Sequence, residues 1–218
     1  MTFSPGSRSP ASVRRGGFTL LEMIVVIAII AILLALLAPA MSSFTKSSAR
    51  KNAARGLVGA LEEARSTAIK DRVAAYVVFP TFASGTQATV ERYNCRSYAT
   101  FEDNRAGGQK QLTSWKTFAT GVAFRVASLA TLPDSAALTP AAAFSFTPDT
   151  AASTVFRCIK FNSDGEIEQP PSNVTLLIFE GYVNGGTEVI TSAKDSSGNP
   201  TAVEKITLTR LTGRAATS

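Results

Sequence analysis

From Phe18 to Ala38 the chain is built of Leu, Ile, Val, Ala, Met, Phe and Thr, with one charged residue, Glu22. At about 1.5 Å per helical residue, these 21 residues reach ~31 Å, enough for a hydrocarbon core of ~30 Å. The run therefore predicts a transmembrane helix that carries an acid. An ionised carboxylate at the centre of such a helix costs roughly 2.5 to 3.5 kcal/mol, so a residue of this kind normally has a partner or a role. Glu22 lies near one end, where the cost is smaller, and the surrounding Ile and Leu residues outweigh it.

Bulk properties bound the rest. A chain of 218 residues has room for one membrane helix and one compact domain of about 150 residues. Its net charge is +6. Taking away Arg8, Arg14 and Arg15, which precede Phe18 with no acid among them, leaves +3. There is no histidine, which excludes Ser-His-Asp and Cys-His hydrolases. With no CxxC pair either, most zinc-site patterns fail, and no metal or cofactor is expected. Cys95 and Cys158, the only cysteines, leave a single disulfide or two free thiols open.

Along the chain, Pro39 should kink the apolar helix or mark its exit from the membrane. Beyond it, Ala54, Leu57, Val58, Leu61, Ala64, Ala68 and Ile69 recur at helical spacing, while Arg50, Lys51, Arg55, Glu62, Arg65 and Lys70 occupy the opposite surface. This predicts one helix from about Phe18 to Asp71, its second half amphipathic. From Ala74 the pattern changes to short β-type runs: 73–79, 88–93, 114–118, 122–126, 143–146, 155–161, 174–182, 188–191 and 203–211. Turn residues at 184–186 and 195–200 separate some of them. A helix followed by strands implies an α+β fold, with an antiparallel sheet laid on the helix. The expected organisation is a leader over 1–17, a transmembrane helix over 18–39, its amphipathic continuation over 40–72 and a β-rich domain over 73–218.

The string Arg14-Arg15-Gly16-Gly17-Phe18-Thr19-Leu20-Leu21-Glu22-Met23 and the apolar residues after it closely resemble the class III signal of type IV prepilins and type II secretion pseudopilins. Three further segments resemble the GspH/FimT-like minor pseudopilins: Leu61–Ile69 at the end of the helix, Ile159–Gly165, and the Gly213-Arg214 ending after Ile206–Thr212. The Ala-, Ser- and Thr-rich stretch 127–154 reads as a variable insertion. The resemblance implies a pilin-like fold and cleavage after Gly17 by a prepilin peptidase. It further implies N-methylation of Phe18, and docking of Glu22 against the free amine of a neighbouring subunit. It also implies a cytoplasmic N-terminus, in keeping with the arginines beside the apolar run, and a body outside the inner membrane despite Lys46, Arg50, Lys51 and Arg55 on that flank. The competing readings of the N-terminus, a twin-arginine signal at Arg14-Arg15 or a signal-peptidase site at Ala38-Pro39-Ala40, fit poorly. Such apolar regions usually run to about 7–15 residues.

The expected function is therefore a non-enzymatic minor pilin or pseudopilin, partnered by other pilins, the inner-membrane assembly platform and membrane lipid. The alternatives are a DNA-binding tip pilin, with Arg210 and Arg214 as phosphate contacts, and an unprocessed single-pass adaptor. Other candidates read more blandly. Asn162–Ile167 looks like part of a calcium loop, but its flanks break that pattern and a hairpin turn is expected. Glu62-Glu63 and Glu102-Asp103 read as solvated surface, and Tyr93, Tyr98, Phe101 and Trp115 as core rather than an exposed aromatic patch.

Overall fold

The computed structural model describes residues 18–82, 93–105, 107–134 and 154–218, with the side chains of 36–45, 82, 154 and 155 left aside. The leader, the expected strand at 143–146, nearly all of that at 88–93 and most of the 127–154 stretch lie outside the described residues. The fold is α+β: a long N-terminal helix, α1 (Leu20–Asp71), precedes antiparallel strands. The chain divides into two units, Met1–Ser43 and Phe44–Ser218.

In the second unit, α1 buries Ala53, Ala54, Leu57, Ala60, Leu61, Ala64 and Ala68, positions three and four apart that share one face. Small alanines alternating with leucines let strands approach the helix closely. The expected stripe is corrected at both ends. Ile69 is exposed, whereas Arg50, expected on the outer surface, is buried because Glu180 and Glu204 meet its guanidinium.

One sheet contains β1 (Ala75–Phe82), β2 (Ser97–Asp103), β3 (Gln109–Gln111), β4 (Lys116–Thr117), β6 (Thr154–Phe161) and β7 (Ile167–Gln169). Its order is β3-β2-β1-β6-β7, with β4 also on β2. The other contains β5 (Val122–Phe124), β8 (Val174–Asn184), β9 (Thr187–Ile190), β10 (Val203–Leu208) and β11 (Ala215–Thr217), in the order β11-β10-β8-β5 with β9 on β8. Every pairing is antiparallel.

β1 is apolar on both faces, and both are buried. Ala75, Val77 and Phe79 join α1 and the second sheet in the main core, with Leu57, Phe124, Phe161 and Phe179. Tyr76 and Val78 join Phe101, Phe156 and Cys158 in a second cluster. A strand buried on both sides reads as a continuous apolar run rather than an alternating one, as Ala75–Phe79 does. The aromatics follow the core reading: Tyr98 and Phe101 are buried, and Trp115 stacks on Phe156 at 5.9 Å between ring centroids.

One other expectation changes, and one open reading is resolved. The strand expected over 122–126 stops at Phe124 and gives way to a short helix, α2 (Val126–Ala130). The cysteines are both free and buried, Cys95 in the main core and Cys158 in the second cluster. The thiols lie in different clusters, so no disulfide joins them.

Candidate functional site: the capped start of the long helix

The expected site residues with described positions at the N-terminus are Phe18 and Glu22; Gly17 lies outside the described residues. The first backbone bond of α1 runs from the Met23 N–H to the Thr19 carbonyl, at 3.2 Å. The Glu22 N–H donates to Thr19 Oγ1, also at 3.2 Å. Thr19 is therefore the N-cap and Glu22 the third helical residue, a Thr-x-x-Glu arrangement that satisfies one of the amides a helix start leaves open. In a complete capping box the Glu carboxylate reaches back to the cap's own N–H. Here, among the described residues, no hydrogen bond or ion pair occupies the Glu22 carboxylate. The helix N-terminus favours a negative charge at that place. The helix start thus places Glu22 in its first turn, with its carboxylate unpaired among the described residues.

Around this carboxylate, apart from Thr19, the described surface is apolar. Phe18, Leu20, Leu21, Ile24, Ile27 and Ile30 are exposed, as are the other large apolar residues to Leu34. A helix apolar all round belongs in a hydrophobic environment. Among the described residues no helix is long and apolar enough to cross a membrane. The described side chains of the run end at Ala35, and α1 continues through Pro39. A kink at Pro39 lies outside the described side chains.

The three segments that resemble minor pseudopilins come together at the far end of α1. Gly165, at φ +81°, packs so closely on Ile69 that an added Cβ would lie 2.6 Å from its Cδ1. Gly213, at φ +61°, packs on Gly165, where a Cβ would lie 2.0 Å from the carbonyl oxygen. Arg65 Nε donates to the Thr212 carbonyl at 2.7 Å. Gly213 is needed for its close approach to backbone as well as for its positive φ, and Gly165 for its positive φ. The Asn162–Gly165 segment is the expected hairpin turn, because Asn162 Oδ1 accepts the N–H groups of Asp164 and Glu166 at 3.0 and 2.9 Å. That oxygen is committed to the backbone.

At the same end, Arg210 is half-buried, with its Nε enclosed and, among the described residues, without a hydrogen-bond partner, and its backbone N–H donates to Asn173 Oδ1 at 2.8 Å. Arg214 is exposed. Of the acidic doublets, Glu63 is exposed as expected, whereas Glu62 accepts the Ala215 N–H, Glu102 pairs with Lys110 at 2.9 Å, and Asp103 accepts the Tyr76 hydroxyl at 3.0 Å. Burial pushes the Tyr76 phenol above its ordinary range, and the neighbouring Asp103 carboxylate adds to the shift.

Sequence reasoning missed two features here. The Thr19 cap was readable, since Thr followed three residues later by Glu before an apolar run is a helix-start signature. The ion cluster of Arg50, Glu180 and Glu204 was not, because its members are 130 and 154 residues apart.

Residues 13–38 match the family model of the prokaryotic N-terminal methylation motif, so the capped helix start lies inside it. Among solved structures, the chain is similar to the type IV minor pilin FimU of Pseudomonas aeruginosa. The identity is 14%, over 80% of this chain and 92% of that one, at a TM-score of 0.41; a second crystal form gives 14% and 0.40. It is also similar to the minor pseudopilin EpsH from the type 2 secretion system of Vibrio cholerae, at 11% identity over 78% of this chain and 95% of that one, with a TM-score of 0.39. A comparison with curated proteins gives no match.

Proposed function

We propose that this chain is a minor pilin or pseudopilin, a structural subunit rather than an enzyme. It is made as a precursor, cut after Gly17 by a prepilin peptidase and methylated on the new amine of Phe18. The apolar helix holds it in the inner membrane with its N-terminus cytoplasmic and its β-rich domain periplasmic. An assembly platform then builds it, with other pilins, into a short filament that serves type II secretion or initiates a type IV pilus.

The observation that carries this reading is Glu22, in the first turn of the helix and with a carboxylate that has no partner among the described residues, within the methylation motif. In a low-dielectric setting an unpaired carboxylate is costly, and a cation brought by a neighbouring subunit relieves that cost. Cleavage after Gly17 creates such a cation at Phe18. Docking is then favoured, and its register is set by the pair. The test is incorporation: Glu22→Ala should leave membrane insertion intact and lower the chain's share of the sheared filament fraction at least tenfold. Unchanged incorporation would contradict the docking role.

A further inference from the structure

We propose that the outward face of α1 packs against the same face of a second copy of this chain, in parallel and shifted by two helical turns. This rests on the subunit reading above. Arg55, Gly59, Glu63, Ser66 and Lys70 are exposed and Glu62 is half-buried. Their spacings put them on one side of the helix. Gly59 is the residue that the chain itself does not explain. Glycine weakens a helix interior, yet among the described residues nothing lies within 4 Å of the place its Cβ would take. No contact within the described chain requires it, whereas a helix from outside gains a close approach there. Arg55, Glu63 and Lys70 likewise have no hydrogen bond or ion pair among the described residues.

The charges select the occupant and its register. With two parallel copies in register, Arg55, Glu63 and Lys70 would each face their own counterpart, and every such pair is repulsive. A shift of about seven residues, ~10 Å at ~1.5 Å per residue, keeps the same side of each helix at the seam. Arg55 of one copy then meets Glu62 of the other, Glu63 meets Lys70, and Gly59 meets Ser66, small against small. Glu62 already accepts the Ala215 N–H and lies 3.8 Å from Arg65, so Glu63 with Lys70 is the freer pair. Exposed ion pairs add little affinity; their part is to fix the shift. The two copies contribute different residues, which makes the contact heterologous, the kind that builds rings or filaments rather than two-fold dimers.

The test makes two differently tagged full chains together in cells that contain prepilin peptidase and the assembly platform, one carrying Gly59→Cys and the other Ser66→Cys, and oxidises the membranes. Cys95 and Cys158 are buried and stay out of the reaction. The mixed pair should cross-link at least fivefold more than either variant with itself. Adding Glu63→Lys to the first chain should cut that yield at least threefold, and Lys70→Glu in the second chain should restore it. A folding defect in one chain would not be rescued from the other. Chains that begin at Phe18 yet cross-link equally in every combination, not at all, or only to a different protein would overturn the proposal, as would failure of Lys70→Glu to restore the yield. Chains that still begin at Met1 would instead remove the subunit reading, and this inference with it.

Discussion

Gly213 and Gly59 make opposite demands on the same small residue. Gly213 has a positive φ, and an added Cβ would sit 2.0 Å from the Gly165 carbonyl oxygen, whereas Gly59 is helical with nothing within 4 Å of that position. Gly213→Ala should therefore destabilise the fold by about 1–3 kcal/mol. Gly59→Ala should stabilise it by roughly 0.5–1 kcal/mol, since glycine weakens a helix interior. Urea midpoints of the full chain in detergent read both signs. The cysteines give a pH-dependent counterpart. Burial pushes both thiols from 9.0 up to about 12, so the folded chain holds those protons more tightly than the unfolded one. Their contribution to stability is complete below pH 9 and lost as the pH rises from about 9 to 12. Midpoints should fall across that window, and neither thiol should react with a disulfide reagent in the native chain at pH 8.

At the scale of elements, the Arg50 cluster ties α1 to the second sheet. Arg50 Nη1 meets Glu180 on β8, and Arg50 Nε donates to Glu204 on β10 at 3.1 Å. The three side chains are 11 to 17% exposed, so removing the cation leaves two poorly solvated carboxylates facing each other. Arg50→Met should cost about 3–5 kcal/mol, whereas Lys51→Met, on the exposed side one residue on, should stay within about 0.5 kcal/mol. Denaturant midpoints compare the two.

The same scale shows which elements the sequence makes legible. α1 is readable from its apolar run and alanine-leucine stripe, and β6 and β8 from long β-branched and aromatic stretches. β2 is not, because Ser97 and Thr100 interrupt its apolar pattern while being fully buried. Hydroxyl partners from elsewhere, Thr117 and Thr113, satisfy them. The β-branched pattern also hides α2, which starts at Arg125 without a side-chain cap. Its first N–H is met by Glu188 at 2.6 Å. Tertiary partners decide these segments, and local patterns do not record them.

For the whole molecule, the N-terminal apolar run and its one acid were legible because they are local, and the Thr19 cap, though readable as Thr-x-x-Glu, was missed. The C-terminal glycine junction was legible only as a resemblance, since its cause is contact between residues about 50 to 150 positions apart. In the proposed function, processing, docking and filament assembly all depend on a new amine at Phe18 facing the Glu22 carboxylate of a neighbour. The most direct measurement is the mass of the N-terminal peptide of the protein isolated from membranes of cells that make prepilin peptidase. The expected result is a peptide that begins at Phe18 and carries one methyl group. A peptide that begins at Met1 in those cells would contradict the central claim and leave an unprocessed membrane adaptor.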